Sequence, residues 1–138
     1  MPAIIEVPAR LLWKATSVWV QPGDVLHFRA SGLWFDAVIA CSADGYGASL
    51  FYRLNVLPRI PDNGRYFRLM GRIVESGVEP AQDDVAETFP IGCETTRTFS
   101  KGGLLFVFAN DHMGAYWNNW GSLTLAVDKQ ASPNVNPF

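Results

Sequence analysis

Short apolar alternations of period two, cut apart by turn residues at close intervals, constrain this chain to a β fold more tightly than any other feature. In residues 25–32, Leu26, Phe28 and Ala30 fall on one side while His27, Arg29 and Ser31 fall on the other, the pattern of a half-buried strand. Just before them, Gln21, Pro22, Gly23 and Asp24 join the fixed φ of proline to the permissive φ of glycine. Residues 15–20 and 25–32 are therefore expected to pair as a hairpin. Residues 66–74 read as a further strand, 104–109 as a buried one, and 122–128 as a final alternating strand with Leu123, Leu125 and Val127 inward. No segment sustains an apolar stripe at the helical period. Twelve glycines and nine prolines dispersed among such strands point to an all-β, antiparallel β-sandwich rather than a sheet wrapped by helices.

At 138 residues the chain fits a single domain spanning 1–138, and a 49% hydrophobic composition is enough to bury a sizeable core. The formal charge of −2 provides no broad basic field. Arg53, Arg59, Arg65, Arg68 and Arg72 recur in one region, but acids and prolines interrupt them, so nucleic acid is not an expected partner. No apolar run approaches the roughly 20 residues that span a bilayer. The first ten residues contain Glu6 and two prolines instead of the apolar core of a classical signal peptide, so the chain reads as soluble, without membrane insertion and with its compartment open. Cys41 and Cys93 lie far apart at a spacing unlike zinc or redox motifs, and read as buried or structural thiols in preference to one disulfide.

Chemistry concentrates in residues 110–122. Asp111, the adjacent amides of Asn118 and Asn119, and the carbonyls of a glycine-containing turn are the oxygen donors that a hard cation such as calcium accepts, about six to eight at a time. Flanked by the strands 104–109 and 122–128, residues 111–119 are expected to form a hairpin loop whose ends converge. His112 beside these donors can bond a sugar hydroxyl, although a loop histidine is more often simply solvated. Trp117 and Trp120 either offer rings for the apolar face of a sugar or partly fill the pocket. Trp13, Trp19 and Trp34 read as core packing on strands, and His27 as structural. Residues 37–64 and 75–84 read as long excursions between strands, the first a wall of the site, and 131–138 as a loose end. Within the first excursion Asp44, Gly45, Tyr46 and Gly47 form a turn with at most a weaker role in the site.

Two blocks of residues resemble the PA-IL-like (LecA-type) bacterial galactophilic lectins. The first runs through Thr16, Ser17, Val18, Pro22, Gly23, Asp24, Val25, Ala30, Ser31 and Gly32. The second, more specific block is Asn110, Asp111, Gly114, Tyr116, Asn118, Asn119, Gly121 and Ser122. The resemblance implies a jelly-roll or galactose-binding-domain-like sandwich without catalytic residues. It also implies a Ca2+ cofactor held by the side chains of Asp111, Asn118 and Asn119, the carbonyl of Ala115, and Asp36. Asp36 stands where the family has tyrosine, which adds a second carboxylate by side chain or leaves a carbonyl ligand as in the family. The family's galactose-contacting histidine and glutamine are missing from residues 37–64, so galactose specificity does not carry over.

The expected function is therefore a calcium-dependent, lectin-like carbohydrate-binding module. Its partner is a glycan or monosaccharide, with His112, Trp117 and Trp120 at the sugar and homo-oligomers as a route to multivalency. One alternative is a structural or protein-interaction sandwich that keeps the lectin scaffold without sugar binding. On a second, Asp36 and Asp111 would be the carboxylate pair of a glycosidase.

Overall fold

The computed structural model describes residues 2–47, 65–82, 84, 86–111 and 116–130. Its strands are β1 (Ala3–Pro8), β2 (Lys14–Val20), β3 (Val25–Ser31), β4 (Trp34–Asp36), β5 (Ile39–Cys41), β6 (Tyr46–Gly47), β7 (Arg65–Tyr66), β8 (Leu69–Val74), β9 (Phe89–Pro90), β10 (Glu94–Thr98), β11 (Gly103–Ala109) and β12 (Asn119–Gln130). One sheet runs β10-β3-β12-β4-β5, with β1 also on β12, and a second runs β2-β11-β8-β9. The pair β6–β7 stands apart, and every described pairing is antiparallel. The fold is the expected antiparallel β-sandwich. No helix among the described residues is long and apolar enough to cross a membrane.

The alternations predicted from sequence set the faces. Leu26 and Phe28 of β3 are fully buried while Arg29 and Ser31 are exposed, and Leu123, Leu125 and Val127 of β12 point inward. These side chains meet Val18 and Val20 of β2 and Leu105 and Val107 of β11 in the core between the sheets. All seven residues of β11 are buried. Its outward residues Leu104, Phe106 and Phe108 pack under Leu12, Trp13, Met70 and Tyr116, which is why its sequence is a continuous apolar run instead of an alternation. The excursion 75–84 lies beside this second cluster. Trp13 Nε1 donates to the Ala81 carbonyl at 3.4 Å, and the Arg72 guanidinium donates to the carbonyl and carboxylate of Asp84 at 2.8 and 3.2 Å.

Three expectations need correction. The strands expected to form the first hairpin both exist, but they do not pair: β2 belongs to the β11 sheet and β3 to the β12 sheet. The turn between them has the expected local bonds, Asp24 N–H to the Gln21 carbonyl and Gln21 N–H to the Asp24 carboxylate (2.9 and 2.8 Å). It also docks sideways, with Gly23 and Phe99 bonded at 2.7 Å, so it carries the chain from one layer to the other. A turn signal specifies a reversal, and burial of Val18, Val20, Leu26 and Phe28 against one another from opposite layers decides the partner strand.

The expected strand 66–74 is broken at Phe67, whose φ of 62° divides β7 from β8. Trp19, expected in the core, is 54% exposed on the outer side of β2, because Thr16, Val18 and Val20 occupy the inward positions. Its ring lies over Gly77, where a Cβ would come within 2.4 Å of it. Cys41 and Cys93 are not joined by a disulfide, in line with the reading as thiols.

β2 carries a bulge against β11, since the register passes from Leu104↔Trp19 to Phe106↔Ala15. Thr16 occupies the irregularity: its hydroxyl donates to the Leu105 carbonyl at 2.7 Å and accepts from Val18 N–H at 3.1 Å. A Thr16→Val variant keeps the shape and leaves both backbone groups without this partner in a buried place. It is expected to lose about 1–3 kcal/mol of stability in denaturant-induced unfolding.

Candidate functional site

β12 is where the candidate residues meet. Its first three residues pair with β4 in the register Asn119↔Asp36, Trp120↔Phe35 and Gly121↔Trp34, before Gly121, at φ 82°, bends the chain toward the long pairings with β1 and β3. Ala37 N–H donates to the Asn118 carbonyl at 3.1 Å, the bond that flanks a non-hydrogen-bonded pair. Asn119 and Asp36 are thus directly opposed at the closer of the two antiparallel separations, about 4.5 Å between Cα atoms, with their side chains on one face.

Asn119 is 1% exposed, and its amide is oriented by its own hydrogen bond, Nδ2 donating to the Ala9 carbonyl at 3.0 Å. The other end of that amide, Oδ1, is buried with no hydrogen-bond partner, and so is Oδ1 of the neighbouring Asn118. Buried carbonyl oxygens without partners cost free energy that a native fold normally avoids. On two consecutive residues, these are unsatisfied acceptors, the chemistry that suits a cation or a set of hydroxyl donors.

Two carboxylates accompany them. Asp111 is 3% exposed at the end of the segment that follows β11. Asn110, just before it, is pinned to the broken strand by Phe67 N–H to the Asn110 carbonyl (2.7 Å) and Asn110 N–H to the Arg68 carbonyl (3.0 Å). Asp36 accepts a 2.5 Å hydrogen bond from the Tyr46 hydroxyl at Oδ2. Burial, that hydrogen bond and the charges of Asp36 and Asp111 together push the Tyr46 pKa far above the usual phenol value, so Tyr46 remains a proton donor at any physiological pH. The two carboxylates therefore both lie within electrostatic reach of one hydroxyl. Among the described residues no three His, Cys, Asp or Glu side chains gather as a metal group. Any ion here depends on amide and carbonyl oxygens beside these acids.

The hairpin expected for residues 111–119 is not what the flanking strands form. β11 and β12 lie in different sheets, so they do not pair as the arms of a hairpin. A one-turn 3-10 segment, Tyr116–Asn118, leads into β12, and the Tyr116 hydroxyl donates to the Ala109 carbonyl, tying the loop's exit to its entrance. His112 and Ala115 lie outside the described residues.

The two tryptophans stand differently toward the amide pair. Trp117 is 74% exposed on the 3-10 turn. Strand alternation turns Trp120 to the face of β12 opposite Asn119, where it stacks on Phe35 at 3.8 Å with planes 5° apart and donates Nε1–H to the Ala37 carbonyl at 2.8 Å.

Two participants escaped the sequence reading. Ala37, at φ 53°, turns the chain after β4, donates its N–H to the Asn118 carbonyl and accepts from the Trp120 indole, a role with no signal in its residue type. Tyr46 was legible only as part of a turn, and its side chain completes the cluster. Gly45 makes this possible: it sits at φ 70° with its α-carbon against the next strand, where a Cβ would fall 2.1 Å from the Tyr66 carbonyl oxygen. Clefts elsewhere, such as that lined by Phe89, Arg97 and Lys101, do not coincide with these residues.

No protein-family model matches the chain, and no curated protein matches it. Solved structures do. One is the EclA N-terminal domain, described as a PllA-like lectin, which superposes with a TM-score of 0.64 at 19% identity over 93% of this chain and 96% of that one. The sandwich thus shares its fold with that lectin domain.

Gly45→Ala is expected to displace the Tyr46 turn, lowering stability by about 1–3 kcal/mol for the strained backbone alone, read as a drop in the thermal midpoint.

Proposed function

We propose that this chain is a calcium-dependent carbohydrate-binding module. The observation that carries the reading is the pair of buried, unpartnered amide oxygens of Asn118 and Asn119, set where Asp36 and Asp111 both approach Tyr46. These residues fit a hard cation, which takes oxygen donors of mixed charge in flexible geometry. The side chains of Asp111, Asn118 and Asn119 would hold the ion, joined by Asp36 and by the carbonyl of Ala115, the last being the contribution implied by the family resemblance. When bound, calcium supplies open coordination positions that accept neighbouring hydroxyls of a sugar. The protein's own part is to orient: Ala9 fixes the Asn119 amide, Tyr46 fixes the Asp36 carboxylate, and the 3-10 turn presents Asn118.

A lectin among the similar structures supports the carbohydrate reading, and nothing in the described cluster supplies a nucleophile elbow or phosphate loop for an enzyme. Trp117 on the 3-10 turn, and His112 by its place in the sequence, are the proposed sugar contacts. Trp120, facing the other side of β12, is the least direct of the three. The exposed apolar residues Leu33, Val38, Trp117 and Trp120 favour a second reading, association with another protein surface or another copy of this chain. That reading predicts no glycan binding in saturating calcium.

A ligand that binds only the folded state raises the unfolding midpoint by mass action. After chelator treatment, excess calcium is expected to raise the midpoint of the unaltered chain, and Asn118→Ala or Asp111→Ala is expected to abolish the rise and any glycan-array signal together. No calcium-dependent shift, or a shift that both variants retain, would set the ion site aside in favour of an interaction sandwich.

A further inference from the structure

Resting on the reading of this cluster as an ion site, one feature of it goes beyond any ligand set implied by resemblance. Asp36 has its carboxylate on the face of Asn119, directly across a close strand pair. Oδ2 of that carboxylate is taken by the Tyr46 hydroxyl at 2.5 Å. The hydroxyl is itself well fixed. Tyr46 pairs with Tyr66 across β6 and β7, its ring lies 5.9 Å from that of Tyr66 at 18° and 6.4 Å from that of Phe67 at 29°, and Gly45 before it fits against backbone with no room for a side chain. Opposite, Asn119 is 1% exposed, its Nδ2 is held by Ala9, and its Oδ1 is left without a hydrogen-bond partner. The two side chains are anchored through one polar atom each, on elements distant in sequence, and each retains an oxygen on the shared face.

We propose that Tyr46 is a positioning residue of the ion site, holding Asp36 by one carboxylate oxygen so that the other serves, beside Asn119 Oδ1, as a side-chain ligand to a divalent cation. Asp36 then contributes charge to the site in addition to any backbone contact. Residues that orient a ligand without touching the metal commonly control its affinity, because a freely rotating carboxylate must be ordered at the moment of binding.

Calorimetric titration of calcium into the whole chain, its Tyr46→Phe and Asp36→Asn variants and the double variant tests this, with the thermal midpoint of each calcium-free protein recorded alongside. Tyr46→Phe keeps both ring contacts and removes only the hydroxyl. It is expected to weaken calcium binding about tenfold or more, and to add no further loss once Asp36 is already Asn. A merely structural tyrosine would lower the calcium-free midpoint and leave the calcium dissociation constant unchanged, which would overturn the proposal. So would an equal loss in the presence and absence of the Asp36 carboxylate. Should Tyr46→Phe not fold, Asp36→Asn alone decides: a loss of about tenfold or more supports a side-chain ligand, and unaltered affinity overturns it. Failure of the unaltered chain to bind calcium would remove the ion site altogether, an outcome distinct from a site that binds calcium without Tyr46.

Discussion

The pairing of Asn119 with Asp36 is the constraint on which the rest of the site depends. Strand geometry gives two neighbouring residues opposite faces, so once Leu123, Leu125 and Val127 are committed to the core, the start of β12 has little freedom. Asn119 lies four positions before Leu123, so the same alternation turns Asn119 inward and Trp120 outward. Ala37 then locks the arrangement from the other strand, bonding to the Asn118 carbonyl and to the Trp120 indole.

A second consequence follows from the layers. The chain changes sheets at Gln21–Asp24 and, among other places, after β11, where Asp111 comes into the same electrostatic neighbourhood as Asp36. Acidic and amide side chains placed inside a sandwich end are expensive. Each buried oxygen left without a donor forfeits roughly 1–3 kcal/mol. A ligand that satisfies these oxygens recovers part of that cost, so structure and proposed function are coupled through the same atoms. The aromatic side chains around Tyr46 provide the apolar packing that makes so polar a cluster tolerable.

Much of the fold was legible because period-two patterns report burial directly. β3, β11 and the alternation of β12 stand where the sequence puts them, with Leu26, Phe28, Leu105 and Leu125 in the core. Partner strands were not legible. The turn Gln21–Asp24 has the same residues whether it closes a hairpin or joins two layers, and only long-range packing distinguishes the two. Phe67 shows the same limit, since a left-handed phenylalanine inside an apolar run has no local signature. In the site, the Asp and Asn residues were legible through donor chemistry and resemblance. The orienting contacts were not: Ala9 and Ala37 act through backbone atoms, and Tyr46 acts across ten positions of sequence.

The most direct test of the central claim is a crystal structure of the chain grown with calcium. The account predicts a single strong peak about 2.3–2.6 Å from oxygens of Asp111, Asn118 and Asn119, with Asp36 at the same distance by its side chain. Only water at hydrogen-bonding distance from those amide oxygens, in crystals saturated with calcium, would contradict it.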